Sequence, residues 1–263
     1  MAFKLSIVTI NYNNSDGLKK TIESVLSQTF ENFEFIIIDG GSTDGSIESI
    51  REFENNIDYW VSEKDNGIYN AMNKGMRVAN GEYFFFLNSG DFFVGDDILE
   101  KVIPYLDGTD IVYGDLLIAE TNARWIKKYD HTICFFYFTY DTLPHQGSFI
   151  SRNILSKFNL SFSESLKIAS DWKFFLDAIC KYDATLKYLN FLISEYNTFG
   201  LSALKENRAL LLLEKQSVLE SEYYRFYLGI EGFYELKNNY NRLINSRFIK
   251  VYSFVRSLLY NPQ

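Results

Sequence analysis

Cysteine, histidine and proline are scarce in this sequence. Its 263 residues include two Cys, two His and three Pro. Cys134 and Cys180 form no CxxC pair, and His131 and His145 complete no metal cluster with them, so neither a zinc site nor a disulfide framework is expected. The simplest interpretation is two free thiols in a reducing compartment. With so few prolines, no Pro-rich linker marks a domain boundary.

Long apolar runs are also absent. No window approaches the roughly 18 apolar residues that cross a bilayer. The first apolar strand pattern begins at Leu5, which leaves no room for the basic and apolar regions of a signal peptide. We therefore expect a cytoplasmic protein.

A surplus of positive charge is missing as well. The formal net charge is −8, which argues against nucleic-acid binding, because a basic face supplies most of that affinity. The charge is uneven, since no acidic residue follows Glu235 while several Lys and Arg do. What the chain does contain is 47% hydrophobic and 17% aromatic residues, which is enough for a substantial core.

Apolar runs alternate with helical patterns in the first half of the chain. The runs, apolar on both faces as central parallel strands require, are 5–10, 35–38, 83–87 and 111–113. Helices are predicted to begin at Asp16 and at Thr43 or Asp44, and to cover 69–78, 167–181 and 202–236. This pattern predicts an α/β fold with helices flanking a central, mostly parallel sheet, whose ligands bind beyond the carboxyl ends of the strands.

Acidic residues follow three of these strands. Asp39 opens the stretch DGGSTDG, Asp91 closes the stretch NSGD, and Asp115 follows the fourth run. The first stretch is neither GxGxxG nor a P-loop. Its carboxylate could accept hydrogen bonds from a ribose or base, or the stretch could be a capped strand-to-helix turn. Asp91 suits a hard divalent cation that also binds phosphate oxygens, although a polar turn is the alternative.

A polar segment at 62–75 precedes and enters the third helix. Within it, Lys74 could meet a phosphate group and Asp65 could meet a base or ribose. The alternative is an exposed loop followed by a solvated helix face.

In combination, these motifs resemble those of family 2 glycosyltransferases with the GT-A fold, a Rossmann-like arrangement. The matching stretches are TINYN at 9–13, DGGSTDG at 39–45, DNGI at 65–68, NKG at 73–75, GEY at 81–83, NSGD at 88–91, HQ at 145–146 and SDW at 170–172. Each stretch is weak alone, but their order and spacing are specific together. The chain resembles the bacterial members that build surface polysaccharides, and the resemblance fades after Ser202.

The resemblance implies a nucleotide-diphospho-sugar donor, most often UDP-linked, and a divalent cation, Mn²⁺ or Mg²⁺, bound by Asp91. The residues that it implies for binding donor or acceptor are Thr9, Asn11, Tyr12, Asp39, Asp65, Asn73, Lys74, Asn88, His145 and Trp172. Among them, Tyr12 would stack on the base, while Thr9 and Asp39 would line the nucleoside pocket.

Two positions depart from the family pattern. Many members carry further acids where this chain has Asn88 and Gly90, which leaves Asp91 as the only charged ligand of the cation. Many members also carry Arg where Met72 stands, so that a donor contact is missing or is supplied by Lys74.

Asp171 matches the catalytic base of the family. The resemblance implies transfer with inversion at the anomeric carbon, with Asp171 removing the proton of the attacking acceptor hydroxyl. From the residues alone, the alternative is an N-cap for a helix that begins at Trp172. For His145 the alternative to a diphosphate or acceptor contact is a hydrogen-bonded loop histidine, and for Trp172 the alternative to sugar stacking is a buried ring.

Two later segments add further hypotheses. Residues 199–202 resemble a glycine-containing segment that borders the active site in relatives, where a mobile lid excludes water. The basic and aromatic segment 248–260 suits an interfacial helix near anionic lipid at the inner face of the cell membrane. The alternative is a helix packed on its own domain or on the partner in a homodimer.

The resemblance therefore implies a metal-dependent, inverting glycosyltransferase of the hexosyltransferase type, with a glycan or lipid-linked acceptor. We expect a GT-A catalytic domain over 1–200, with a nucleotide-sugar half at 1–115 and an acceptor half at 116–200, and a helical extension over 201–263. One alternative is a catalytically silent nucleotide-sugar-binding partner, which the reduced acidic cluster at 88–91 favours. Another is a sugar nucleotidyltransferase, although the Gly-rich N-terminal loop with Arg or Lys is absent here.

Overall fold

The computed structural model describes residues 4–120, 123–129, 132–197, 207–229 and 232. The chain divides into two compact units, Met1–Lys215 and Gln216–Gln263. The domain boundary predicted after residue 200 falls outside the described residues, so that division stays a prediction.

The described strands all belong to one sheet. They are β1 (Leu5–Asn11), β2 (Phe33–Asp39), β3 (Tyr59–Ser62), β4 (Tyr83–Phe86), β5 (Phe92–Phe93), β6 (Ile111–Glu120), β7 (Ala123–Lys127), β8 (Ser148–Ser151) and β9 (Leu186–Asn197). The helices that accompany them are α1 (Ser15–Leu26), α2 (Ser46–Glu52), α3 (Ile68–Val78), α4 (Ile98–Val102), α5 (Arg152–Phe158), α6 (Ser170–Leu176) and α7 (Arg208–Glu222). A 3-10 turn at His145–Gly147 precedes β8, and a π-helical turn at Asp177–Lys181 extends α6.

The sheet changes character along its width. Its strand order is β3-β2-β1-β4-β8-β6-β9-β5, with β7 paired to β6. The strands β3, β2, β1 and β4 run parallel, while β8 is antiparallel to both β4 and β6. The parallel half places the ends of consecutive strands at one edge of the sheet, where ligands bind in such folds. The predicted α/β fold with flanking helices is confirmed.

Side chains that alternate along the strands separate two packed faces. One face lies under α1, whose spacing of apolar residues makes a single stripe. The buried residues of this core include Leu18, Ile22 and Val25 of α1 and the strand residues Leu5, Ile7, Phe35, Ile37 and Phe85. Phe85 also stacks between Phe93 and Phe149, at centroid distances of 5.2 and 4.5 Å. This core holds the parallel strands in register.

The opposite face is covered by α3 and α6. A Cβ added to Gly75 would stand 2.4 Å from Cγ1 of Val8, so glycine is what lets α3 lie directly on β1. The ring of Phe162 then meets the edge of Phe86 at 5.3 Å and stacks on Phe174 of α6 at 4.8 Å. This packing brings the first turns of α3 and α6 together beyond the end of β4.

Several predicted element ends differ from the structure, among them the start of α6, which is Ser170 and not residue 167. α1 is capped by Asn14, which accepts from the Gly17 amide, and Asp16 lies inside the first turn. α2 begins after Gly45, which has a left-handed φ of 97° that glycine adopts without strain. Asp115 does not end a strand, because β6 continues to Glu120.

Candidate active site

The carboxyl ends of β1, β2 and β3 form the first part of the site. The parallel register places Asn11 beside Asp39, and Asp39 beside Ser62. Asn11 Nδ2 donates to Asp39 Oδ1 at 2.7 Å, and Ser62 Oγ donates to Asp39 Oδ2 at 2.6 Å. The acidic end of β2 therefore lies at the ligand-binding edge of the sheet, as the sequence predicts.

Asp39 is occupied by donors of its own chain. The residue is fully buried, and it also accepts from the amides of Gly41 and Ser42 at 3.1 and 2.9 Å. Burial raises the pKa of Asp39, but hydrogen bonds from Ser42, Ser62 and Asn11 outweigh it and hold the pKa below its usual value. In this arrangement the carboxylate organises the loop after β2, and a nucleoside would have to replace one of these donors.

The loop after β2 brings Tyr12 and Asp65 together. A Cβ on Gly40 would stand 2.6 Å from Asp65 Oδ2 and 3.2 Å from the Tyr12 ring, so a larger residue would separate them. Tyr12 is 66% exposed, and Asp65 Oδ1 accepts from the Gly67 amide at 2.9 Å. An open ring beside a carboxylate can stack on a base while the carboxylate accepts a hydrogen bond from a base or ribose.

Two residues predicted to bind the donor point into the protein. Thr9 is fully buried, and its hydroxyl donates to the carbonyl of Leu87 at 2.7 Å. Asn73 Nδ2 donates to the carbonyl of Phe162 at 2.9 Å, and Phe162 donates back to Asn73 Oδ1 at 3.0 Å. In the structure both side chains hold elements of the site together.

α3 carries Lys74, which is predicted for the donor site, and Met72, which stands where many family members carry Arg. Lys74 Nζ lies 2.6 Å from Glu63 Oε1, so its charge is already paired. Met72 is fully buried in the core. Its side chain therefore cannot contact the donor at the position where many family members carry Arg. A phosphate group would compete with Glu63 for Lys74.

The second part of the site lies beyond β4, where His145 joins two polar clusters. Asn88 Nδ2 lies 3.0 Å from His145 Nε2. On the other side of the ring, His145 Nδ1 lies 3.5 Å from Asp171 Oδ2. The Tyr69 hydroxyl shares its single proton between the Ile168 carbonyl, at 2.5 Å, and Asp171 Oδ1, at 3.1 Å. A continuous row of polar groups therefore connects the end of β4 with the first turns of α3 and α6.

Asp171 is not an N-cap. The cap position of α6 is held by Ala169, which has no side-chain cap bond, and Asp171 lies in the first turn. Its Oδ1 accepts from the Trp172 amide at 2.8 Å. Burial raises the pKa of Asp171, but His145, the Trp172 amide and Tyr69 lower it more, so that the pKa lies below its usual value. The carboxylate is ionised at neutral pH, and with 22% of its side chain exposed a solute can reach it.

Asp91 lies in the opposite electrostatic situation. It is buried, and its Oδ1 accepts from the Asn197 amide at 3.0 Å. Burial raises the pKa of Asp91 to about 7, although the Asn197 amide, the charge of His145 and the Gln146 side chain lower it in part. This carboxylate has too few donors to replace the water that burial removes.

A divalent cation would fit these residues in a limited way. Within the described ranges, no three acidic, histidine or cysteine side chains come together as metal ligands. However, Asn88 Oδ1 is buried and has no hydrogen-bond partner. An unsatisfied amide oxygen and an under-solvated carboxylate are the oxygen donors that Mg²⁺ and Mn²⁺ prefer, and such cations complete their shells with water and phosphate.

Trp172 does not present its ring to a sugar. It is buried, and its Nε1 donates to the carbonyl of Phe138 at 2.8 Å. The Lys215 ammonium lies 5.0 Å from the centroid of the same ring. The interpretation of Trp172 as a buried ring is the one that the contacts support.

Sequence reasoning missed three contributors to the site. Tyr69 donates to Asp171, the Asn197 amide donates to Asp91, and the side chain of Gln146 also faces Asp91. Only Gln146 carried a signal, since it stands next to His145 in a matching motif. The other two are separated from their partners by about a hundred residues in the sequence. A local sequence pattern cannot predict a contact over such a separation.

The proposed lid at 199–202 and the proposed interfacial segment at 248–260 lie outside the described residues. Among the helices that are described, none is long and apolar enough to cross a membrane.

The raised pKa of Asp91 predicts a pH-dependent stability difference in chelator-treated protein. The folded chain keeps this proton up to about pH 7, whereas the unfolded chain loses it near the ordinary value of 3.8. The penalty for ionisation therefore grows between those pH values and reaches up to about 4 kcal/mol. We expect Asp91→Asn to raise the free energy of unfolding at pH 8 much more than at pH 4.5, as measured by urea unfolding.

The matched control for this prediction is Asp16→Asn, an exposed acid in the first turn of α1, which should change stability by less than about 0.5 kcal/mol at either pH. An equal effect of Asp91→Asn at both pH values would show that Asp91 is not protonated by burial.

Comparison with known proteins adds independent information. The family model described as Glycosyl transferase family 2 matches residues 6–164. An uncharacterized glycosyltransferase of Mycobacterium tuberculosis is 31% identical over 215 residues, which are 78% of this chain and 79% of the relative. A PGL/p-HBAD biosynthesis glycosyltransferase of Mycobacterium bovis is 28% identical over 204 residues, or 74% of this chain and 77% of the relative.

Solved structures share the fold. TarS of S. aureus, residues 1–349 in complex with UDP-GlcNAc, aligns with a TM-score of 0.62 at 17% identity over 74% of this chain and 58% of that chain. The mannosyltransferase PcManGT of Pyrobaculum calidifontis, in complex with GDP-Man and Mn²⁺, aligns with a TM-score of 0.57 at 14% identity over 74% of this chain and 57% of that chain. This chain thus spans less than two thirds of either solved chain.

The resemblance noted from the motifs is therefore confirmed by an independent family model and by curated relatives. The model covers more than half of the chain, and the relative at 31% identity matches over more than three quarters of both sequences. This chain belongs to glycosyl transferase family 2.

Proposed function

We propose that this glycosyltransferase transfers a hexose, with inversion, from a UDP-linked donor to a glycan or lipid-linked acceptor. The observation that carries the proposal is the ionised, partly exposed carboxylate of Asp171, joined through His145 to the polar end of β4. Support for the donor class comes from solved relatives of the same fold, one bound to UDP-GlcNAc and one to GDP-Man. Support for the acceptor class comes from relatives named for PGL/p-HBAD biosynthesis.

The nucleoside would bind on the exposed face of the Tyr12 ring, beside Asp65. The ring offers a stacking surface, and Gly40 allows Asp65 to lie close to that ring. Asp39 would act indirectly, because its oxygens hold the loop that carries Gly40. The diphosphate would then extend towards the end of β4, in the direction of Asn88 and Asp91.

Asp171 would act as the base in a single displacement. The acceptor hydroxyl oxygen forms the new bond to the anomeric carbon while the bond from that carbon to the diphosphate oxygen breaks. The hydroxyl proton passes to Asp171, and the nucleoside diphosphate leaves with the bonding electrons. His145 and Tyr69 hold the two carboxylate oxygens at fixed positions, so the base is ready before the acceptor binds.

Asp91 and the amide oxygen of Asn88 would hold the divalent cation. When bound, Mn²⁺ or Mg²⁺ supplies positive charge that neutralises the leaving diphosphate. Around it, Gln146 and the Asn197 amide orient the Asp91 carboxylate. The small number of charged ligands suits a cation that binds together with the donor, because phosphate oxygens complete its shell.

A catalytically silent nucleotide-sugar-binding protein is the second candidate, and the reduced acidic cluster at 88–91 is the observation that favours it. The arrangement around Asp171 argues against it, since a silent binder has no use for an ionised carboxylate held by three donors. Donor binding without turnover on any acceptor, or on water, would support this candidate instead.

Asp171→Asn is expected to bind the donor normally and to lose turnover. Asparagine has nearly the same shape as aspartate but cannot accept the proton. General-base catalysis contributes about 10²- to 10⁴-fold to the rate, so turnover should fall by that factor. Donor hydrolysis and transfer should be measured for the member of a nucleotide-sugar panel that the wild-type protein turns over, with affinity determined by calorimetry. The control is Asp16→Asn, another acid in a first helical turn, and normal turnover by Asp171→Asn would remove Asp171 from the mechanism.

Asp91→Ala is expected to abolish the effect of Mn²⁺ on donor binding. In the wild-type protein, UDP with Mn²⁺ at about a hundredfold excess over Kd should stabilise the fold by about 2.7 kcal/mol, and UDP without the cation should stabilise it much less. The measurement is the thermal unfolding midpoint with UDP alone and with UDP plus Mn²⁺. Asp96→Ala, an exposed acid on the other side of β5, serves as the control, and an undiminished Mn²⁺ effect in Asp91→Ala would place the cation elsewhere.

A further inference from the structure

A carboxylate of α7 binds the segment that leads into α6. Glu214 Oε1 accepts from the Lys167 amide at 2.7 Å. Its Oε2 accepts from the amides of Ile168 and Ala169 at 3.0 and 2.9 Å. Three consecutive backbone donors therefore converge on one side chain. Charge-assisted bonds of this kind are stronger than bonds between neutral groups.

The same segment is held from its other side by α3. The Tyr69 hydroxyl lies 2.5 Å from the carbonyl of Ile168 and 3.1 Å from Asp171 Oδ1. The peptide groups of Ile168 thus bond to Glu214 through the amide and to Tyr69 through the carbonyl. Since Tyr69 also touches Asp171, a shift of this segment would change the contact between Tyr69 and the carboxylate.

α7 also meets the residue on the other side of Asp171. The Lys215 ammonium lies 5.0 Å from the centroid of the Trp172 ring, and the Trp172 amide donates to Asp171 at 2.8 Å. Burial lowers the pKa of Lys215, against the attraction of Asp171 and Asp141. Two adjacent residues of α7 therefore contact the chain on both sides of Asp171, at residues 167–169 and at Trp172.

The cap position of α6 provides no side-chain hydrogen bond of its own. Ala169 stands at the cap position, where Ser, Thr, Asp or Asn would normally bind the first free amides. Glu214, which lies 45 residues after the cap residue in the sequence, accepts hydrogen bonds from the amide of the cap residue and from the amides of the two residues before it. A local cap would stabilise α6 alone, whereas a carboxylate on α7 also fixes where the helix begins.

We propose that Glu214 is a positioning residue of the transfer reaction, which holds the entry of α6 so that the Asp171 carboxylate keeps its place beside Tyr69 and His145. The inference rests on the proposed role of Asp171 as the base. Catalytic geometry tolerates little displacement, since an error of about 1 Å can cost about 10²-fold in rate. Loss of Glu214 should consequently reduce turnover and leave the donor pocket at Tyr12 and Asp65 unchanged.

The test compares Glu214→Gln and Glu214→Asp with the wild-type protein. Glutamine removes the negative charge and places an NH₂ group, which cannot accept, against one set of the backbone amide donors. Aspartate keeps the charge but has a side chain that is one methylene shorter. We expect kcat for donor turnover to fall about 10- to 100-fold in Glu214→Gln and less in Glu214→Asp. The affinity for UDP with Mn²⁺, measured by calorimetry, should stay within about twofold of the wild-type value.

Glu220→Gln is the matched control on the same helix, because the described contacts of Glu220 reach only Gln216, and it should leave both kcat and UDP affinity unchanged. If Glu214→Gln does not fold, Glu214→Asp carries the test. Wild-type kcat in a folded Glu214 variant, or a parallel loss of UDP affinity, would overturn the positioning role. If the wild-type protein itself turns over no donor, the proposed function fails and not the role of Glu214.

Discussion

A carboxylate that is withdrawn from water stays ionised only if other donors replace that water, and Asp171 has three of them. The His145 ring, the Trp172 amide and the Tyr69 hydroxyl come from three different parts of the chain. Asp91 belongs to the same row of polar groups, which includes His145 and Asn88. It accepts from only one amide and one side chain, and burial raises its pKa to about 7. Two acids of one site therefore differ in protonation because their surroundings differ, and the proposed roles of Asp171 as proton acceptor and of Asp91 as cation ligand rest on this difference.

The sheet determines which side chains can take part in this site. Because β1, β2 and β3 are parallel and in register, their last residues meet at one edge, and Asp39 is satisfied there by Asn11 and Ser62. The loops that follow carry the exposed ring of Tyr12 and the half-buried carboxylate of Asp65. Behind them, the close contact of Gly75 with Val8 determines how near α3 lies to β1, and therefore where Tyr69 of α3 is placed. Packing far from the ligand thus determines the position of a group that touches Asp171.

The sequence predicts the fold and the identity of the main acids better than it predicts their roles. Continuous apolar runs followed by Asp39 and Asp91 are a reliable sign of parallel strands with polar ends, because burial on both faces demands such runs. The direction of Thr9 could not be predicted, since every residue of β1 is buried and alternation gives no inward and outward face. The contacts of Tyr69 with Asp171 and of Glu214 with Ala169 depend on how helices dock, which no local pattern contains.

The most direct test of this account is the configuration of the first sugar product. In a single displacement with Asp171 as base, the acceptor oxygen attacks from the face opposite the leaving diphosphate. Proton NMR, recorded before mutarotation on the sugar released from an α-linked UDP-hexose, should show the β-anomer first. Initial formation of the α-anomer would contradict a one-base inverting mechanism and with it the role assigned to Asp171.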